Sequence, residues 1–301
     1  MRPCCLAILF LAACSSPRAG LDAPGRPLAP ATMIAPLSED LEAYVPALGD
    51  RTRRLTAATD GGGSPSATDL AKKAQNPVAD LISLPLQNNT NFNLGPGNDT
   101  QNILNIQPVI PFKLSENLNL ITRTILPVVY QPALTPTGSS DFGLGDTTFS
   151  AFFSPRESKP IWGAGPIALI PTSTGSTLGA GEWGLGASGV LLAMSGPWVV
   201  GGLVSNVWSF EGSVNSFVFQ PIINYNLADG WYLTSVPIIT ANWEATSGNR
   251  WTVPVGGGVG KIFKIGKQPM NAQIQAFYNI EHPSGGPEWQ LRLQLQFLFP
   301  K

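Results

Sequence analysis

Few side chains in this sequence could do chemistry. There is one histidine, His282, in the string EHPSGGPE. Beside a serine such as Ser284, or a distant one, it could act as the general base of a hydrolase. The plainer reading is a loop histidine next to Pro283, and no GxSxG elbow accompanies it. All three cysteines, Cys4, Cys5 and Cys14, lie in the first fourteen residues. The body of the chain therefore has no disulfide, thiolate zinc site or cysteine nucleophile. One histidine and no carboxylate cluster give no reason to expect a transition metal, and no cofactor is implied. LGAGEWGLG, from Leu178 to Gly186, loosely mimics the glycine spacing of a nucleotide loop. It lacks the P-loop lysine and a following helix, so it reads as a loop running into a flexible strand. The charges of interest are Arg123, Asp146 and Arg292, which stand in otherwise uncharged stretches. These features together argue against an enzyme.

The remaining chemistry is at the N-terminus. MRPCCLAILFLAAC places Arg2 ahead of a short apolar run from Leu6 to Ala13. That is the pattern of a secretory signal and is too short for a membrane-spanning helix. Leu11-Ala12-Ala13-Cys14 is similar to a bacterial lipobox, which makes residues 1–13 a lipoprotein-type signal peptide and Cys14 a lipidation site. Ordinary cleavage nearby, after Ala19 for example, is the alternative. Each buried methylene of a lipid chain adds about 0.8 kcal/mol of membrane affinity. Ser15 and Ser16 follow the cysteine, which suits release towards an outer membrane.

The elements that would position Arg123, Asp146 and Arg292 are strands. Charged residues make up 12% of the chain, against about 25% in soluble domains. Net charge is −1, so no basic field for nucleic acid exists. Residues 14–66 are rich in Pro, Ala, Gly, Ser and Thr, as in GLDAPGRPLAPAT, and read as a low-complexity tether. A short helix is possible from Ser38 to Tyr44. A second helical segment is expected over 67–81, capped by Thr68 or Asp69 and interrupted by Pro77.

From residue 82 the sequence alternates. In EWQLRLQLQFLFPK, Trp289, Leu291, Leu293, Leu295, Phe297 and Phe299 take one face, and Gln290, Arg292, Gln294 and Gln296 the other. Similar runs pass through Phe217 to Tyr225, Met270 to Ile280 and Leu104 to Phe112. About twelve strands result, centred near residues 87, 106, 124, 148, 167, 188, 204, 220, 238, 257, 275 and 294. Those near 167, 188 and 257 are glycine-rich and alternate poorly. Connections alternate between short (SENL, PRESK, SGP, ADG, IGKQP) and mostly longer ones such as TSTGSTLGAGE. Short periplasmic turns, longer outside loops and an even strand count describe an antiparallel transmembrane β-barrel over residues 82–301, with both termini periplasmic. Trp183, Trp208, Trp243, Trp251 and Trp289 flank the long loops, while Trp198 and Trp231 follow short turns, as interfacial girdles require. A soluble sandwich would not explain aromatics gathered at strand ends. Pro108, Pro127, Pro166, Pro221, Pro237 and Pro254 each remove a ladder donor, so bulges or breaks are expected near them.

Several strings, AKKAQNPVADLISLPLQNNTNF, NIQPVIPF, FGLGDTTFSAFFSP, WYLTSVPIITANWEA and WQLRLQLQFLFPK, resemble a family of Gram-negative barrel proteins labelled MetA-pathway of phenol degradation. The resemblance spans residue 70 to Lys301. It implies an outer-membrane barrel linked to uptake of aromatic compounds and supplies no catalytic residues. This chain ends in Phe-Pro-Lys, where many such barrels end on the aromatic itself.

Alternation puts Arg123, Asp146 and Arg292 on the inner face, among Asn, Gln, Ser and Thr. They would either line a pore or brace a plugged lumen. The leading expectation is a channel or uptake pore for small neutral or apolar solutes, aromatic ones included by the resemblance. A structural or surface-interaction barrel with a closed lumen is the second reading, and a hydrolase built on His282 the third. The expected partners are outer-membrane lipid and a small solute, with no nucleic acid. Oligomeric state is left open.

Overall fold

The computed structural model describes residues 67–135 and 138–300. Cys14, the signal segment, the tether and the helix expected at Ser38 to Tyr44 lie outside these residues. So do the side chains of Thr68 and Asp69.

Among the described residues one α-helix, α1 (Ala67–Ala74), precedes fifteen strands. They are β1 (Ile82–Leu94), β2 (Asp99–Ile106), β3 (Val109–Lys113), β4 (Leu118–Gln131), β5 (Asp141–Leu144), β6 (Thr147–Pro155), β7 (Ile161–Ile170) and β8 (Gly184–Ser195). β9 (Trp198–Ser209), β10 (Asn215–Asn226), β11 (Trp231–Ser235), β12 (Ile239–Asn242), β13 (Trp251–Ile265), β14 (Gln268–Glu281) and β15 (Trp289–Phe299) follow. Every pairing is antiparallel between neighbours in the chain, and β15 closes on β1 from Ile82↔Phe299 to Phe92↔Trp289. Three wall positions are each split in two (β2/β3, β5/β6 and β11/β12). The result is a closed barrel of twelve wall strands. Closure is required because an unpaired backbone N–H or C=O in hydrocarbon costs several kcal/mol.

Most of the splits fall at prolines. Pro108 separates β2 from β3. Pro237 separates β11 from β12 and faces the stretch of β10 containing Pro221, where pairing jumps from Phe219↔Ile239 to Ile223↔Ser235. A register shift marks Val253/Pro254. The carbonyl of Pro127 accepts the Gly145 N–H at 2.9 Å beside the β5/β6 split. Pro166 lies within an unbroken β7, where the ladder to β6 skips from Ser150↔Ile167 to Phe153↔Ala164. One physical cause, the missing N–H, thus has a gap, a bulge or a skipped pair as its outcome.

Residues facing each other across a ladder share a side of the sheet. Leu84, Leu86 and Asn88 meet Phe297, Leu295 and Leu293 on the outside, while Gln87, Asn89 and Asn91 meet Gln294, Arg292 and Gln290 on the inside. The outer face is apolar, with Leu191, Val204, Ile223, Val255, Ile274 and Leu293 exposed. Its aromatic rings gather at the two ends. At the long-loop end Trp243 and Trp251 stand 5.4 Å apart, centroid to centroid, and Tyr278 and Trp289 4.7 Å. At the short-turn end Trp198 meets Tyr225 at 4.8 Å, and the Lys261 ammonium lies 4.6 Å from the Trp231 ring.

α1 is shorter than the expected 67–81 segment. Asn76 precedes Pro77, whose ring disfavours the helical conformation one residue earlier. The Asn76 side chain instead accepts the Val78 N–H at 3.0 Å and starts a turn. The remainder, Gln75 to Leu81, runs as a strap into β1.

Candidate functional site

The site is the barrel interior, and its two sides differ. On β14, β15, β1 and β2 the inner positions carry amides: Gln273, Gln275, Gln294, Gln296, Gln87 and Asn105. From β4 through β10 they are largely apolar with scattered hydroxyls: Ile125, Phe152, Ile167, Leu203 and Val218, with Ser150 and Ser188. The uncharged polar lining expected all round is therefore concentrated on one side, with Gln220 and Asn224 of β10 extending it. The miss has a physical cause: glycines on β7 and β8 remove side chains and blur the alternation that would have shown Ile167 and Val190 to be interior. The alternation in TTFSAFFSP was legible, and it places Phe152 inside.

Two adjoining spaces lie within these walls. A chamber of about 380 Å³ lies towards the long loops, mostly against the apolar side. A smaller space of about 130 Å³ lies towards the short turns, mostly against the amide side. Gln87, Gln107, Arg123 and Gln220 border both.

Arg123 stands where the two spaces meet, and its guanidinium donates to the Gln107 side-chain oxygen at 2.5 Å. Arg292 borders the smaller space and is 1% exposed. It donates to Asn89 Oδ1 at 2.9 Å, to the Val236 carbonyl at 2.6 Å and to Gln290 Oε1 at 3.0 Å, with the Phe277 ring 4.8 Å away. Neither arginine is ion-paired among the described residues. A buried guanidinium without a carboxylate needs this number of neutral acceptors to offset its desolvation. Asp146 lies at the β5/β6 split rather than inside a strand. Its carboxylate accepts the Ser173 N–H at 3.1 Å and the Gly181 N–H at 2.9 Å, which ties the β7–β8 loop over the split. It lines the larger chamber, as Arg123 does, without an ion pair between them among the described residues. The three charges therefore form no single cluster.

The strap and α1 occupy the short-turn end. Leu70, Ala71, Ala79 and Leu81 are buried with Tyr232, Ile262 and Leu298. Val78 packs with Ile121, Phe152, Val190 and Leu203. Gln75 and Asn226 exchange side-chain hydrogen bonds of 2.9 and 3.3 Å. Burying each such leucine contributes about 1.5–3 kcal/mol, so this end is packed rather than loosely covered.

His282 lies in the loop between β14 and β15. Its Nδ1 is 3.0 Å from the Pro283 carbonyl, while Ser284 offers its N–H to Asn249. Among the described residues no serine hydroxyl is hydrogen-bonded to the imidazole. No group of three metal-ligating side chains occurs among them either.

No family model matches the chain, and no curated protein matches it. Among solved structures it is similar to an outer-membrane channel from Pseudomonas putida F1. The TM-score is 0.58 and identity 18%, covering 80% of this chain and 100% of that one. Two more distant matches are outer membrane phospholipase A from Escherichia coli (TM-score 0.41, 15% identity, 79% and 99% covered) and the CymD monoaromatic hydrocarbon channel (TM-score 0.39, 8% identity, 78% and 91% covered). The last two carry no further weight at those scores. The first shows that a closed outer-membrane barrel and this chain share one fold.

Proposed function

We propose that this protein is an outer-membrane channel for small neutral or apolar solutes. The observation that carries this reading is the two-part interior, with an apolar chamber next to an uncharged amide wall. An apolar cavity of about 150 Å³ is enough for benzene, and the chamber here is about 380 Å³. It suits a single ring with small substituents. Arg123, at the junction, is the group that would discriminate by polarity. The family resemblance and the name of the Pseudomonas channel support the same reading. Residues 14–66 would be the tether, with Cys14 lipidated. The short-turn end, where α1 and Phe299 lie, would face the periplasm.

A second reading is a structural barrel with a closed lumen, favoured by the packing of Val78 and Leu81 at the short-turn end. Planar-bilayer recording separates the two. The channel predicts conductance from the full chain or from a version lacking residues 15–80, and accelerated solute entry into liposomes. If neither form conducts or admits solute, the structural barrel stands instead. Mass spectrometry of the mature N-terminus tests the lipid: an unmodified start beyond Cys14 removes it and leaves the barrel intact.

A further inference from the structure

Several polar groups around the smaller space are spent on the wall itself. Gln275 accepts the Val236 N–H at 3.2 Å and donates to Gln273 Oε1 at 3.0 Å. Gln296 Oε1 accepts from Asn271 at 3.1 Å. Arg292 spends its donors on Asn89, Val236 and Gln290 and is closed off from the interior. Arg123 is different. A guanidinium carries five N–H donors, and among the described residues Arg123 makes one hydrogen bond, from Nη2 to Gln107. Its side chain is half-buried and borders both the chamber and the smaller space. The donors it does not use are therefore open to the interior.

Charge around the smaller space is also one-sided. Lys73, Arg123 and Arg292 border it, and among the described residues no carboxylate does. Asp146 lines the chamber, but its oxygens already hold the Ser173 and Gly181 N–H groups. A cleft of one sign between low-dielectric walls concentrates the opposite ion. The Thr234 hydroxyl, 4% exposed and without a hydrogen-bond partner, borders the same space as one more free donor.

On its other side Arg123 shares the chamber with Ile125, Phe152, Ile167 and Leu203. A solute lying across the junction meets apolar surface at one end and an unpaired guanidinium at the other. A planar carboxylate matches the guanidinium fork with two parallel hydrogen bonds. An aromatic ring gains from leaving water for the apolar chamber. Inorganic phosphate also fits the fork but gains nothing from the chamber.

We propose that, beyond neutral solutes, the interior binds single-ring aromatic acids as their anions, with the ring in the apolar chamber and the carboxylate on Arg123; this rests on the channel reading. Arg123 then selects for the acid group and the chamber for the ring.

The test uses the purified full chain and sodium benzoate at neutral pH, where the acid is ionised. Binding is read by isothermal titration calorimetry against a detergent blank, and conductance in potassium chloride by planar-bilayer recording. Acetate keeps the carboxylate without the ring, benzyl alcohol keeps the ring without the charge, and phosphate is an anion without the ring. Benzoate should bind tightest, with each of the others weaker by about tenfold, equivalent to about 1.4 kcal/mol. Arg123→Gln should weaken benzoate by a similar factor and leave benzyl alcohol unchanged. Lys113→Gln, which removes an exposed surface charge, should bind benzoate as the wild type does. Heat-modifiable gel migration checks folding, and the solute series on the wild type decides alone if Arg123→Gln does not fold. Benzoate bound equally by the wild type and a folded Arg123→Gln overturns the site. Acetate or phosphate bound as tightly as benzoate overturns the part given to the chamber, and benzyl alcohol bound as tightly overturns the part given to Arg123. A wild-type chain that conducts but does not bind benzoate overturns the inference and leaves the channel reading in place. If neither the full chain nor the version lacking residues 15–80 conducts, the channel reading itself falls, and this inference with it.

Discussion

Arg292 is the buried charge with the most partners, and its cost of removal follows from them. Arg292→Met leaves the Val236 carbonyl and Gln290 Oε1 without their donor and takes one of two donors from Asn89 Oδ1. Hydrogen bonds to charged groups are each worth about 1.5–3 kcal/mol, so a loss of about 3 kcal/mol is expected. A lower urea midpoint, followed by tryptophan fluorescence in liposomes, would show it. Gly260 is a second sensitive position. A Cβ there would collide with the Tyr232 ring, which is 1% exposed and held by its hydroxyl donating to Asn271 Oδ1 at 2.6 Å. Gly260→Val should therefore cost about 1–3 kcal/mol by overpacking, read by the same titration. Among the described residues the His282 ring, in contrast, is within hydrogen-bond distance of a carbonyl alone. His282→Ala should change stability by less than about 0.5 kcal/mol and leave conductance unaltered. Lipid hydrolysis that disappears in this variant would restore the hydrolase reading.

At the scale of elements, α1 and the strap determine what the short-turn end does. Val78 reaches the cluster of Ile121, Phe152, Val190 and Leu203, all from barrel strands. A carboxylate at this position cannot be buried there unpaired at acceptable cost. Val78→Asp should release the strap while the twelve wall strands keep their ladder. The expected reading is higher single-channel conductance with unchanged heat-modifiable migration. Equal conductance in the variant and the wild type would mean that the strap does not limit the axial path. The strand pattern was legible from period-two alternation, and the expected centres fall within the observed wall positions. The interruption expected at Pro77 is present, but the apolar residues Val78, Ala79 and Leu81, which mimic a helical continuation, follow the Asn76 turn as a strap instead.

For the whole molecule, the inside-out arrangement of a membrane barrel makes a symmetrical prediction. Leu293 and Gln294 are adjacent near the middle of β15 and face opposite media. Leu293→Arg places a charge in hydrocarbon and should cost about 2–4 kcal/mol near the midplane. Gln294→Arg faces the interior and should cost less. Refolding titrations of both variants in liposomes compare them directly. Equal costs for the two variants would contradict a lipid-facing Leu293 beside an interior Gln294.

The sequence by itself determined the strands, the alternation of turns and, outside the glycine-rich strands, the inner and outer faces. These are local properties, and side chains two residues apart must share a face once the backbone is extended. It also marked the prolines as weak points, since a missing N–H is a property of the residue alone. Only the tertiary structure decided what each weak point became. Pro108 is bridged by its neighbours because β1 and β4 present carbonyl and N–H partners there. Pro237 faces Pro221 and glycines, so its flanking groups turn to Gln275 and Arg292. Arg292 appeared from alternation as one inner charge among three. Its partners come from β1, the β11/β12 split and its own strand, and the distances among these positions in the chain give no hint of their meeting. Likewise, whether the interior is one polar pore or an apolar chamber beside an amide wall depends on which strands close the barrel opposite each other.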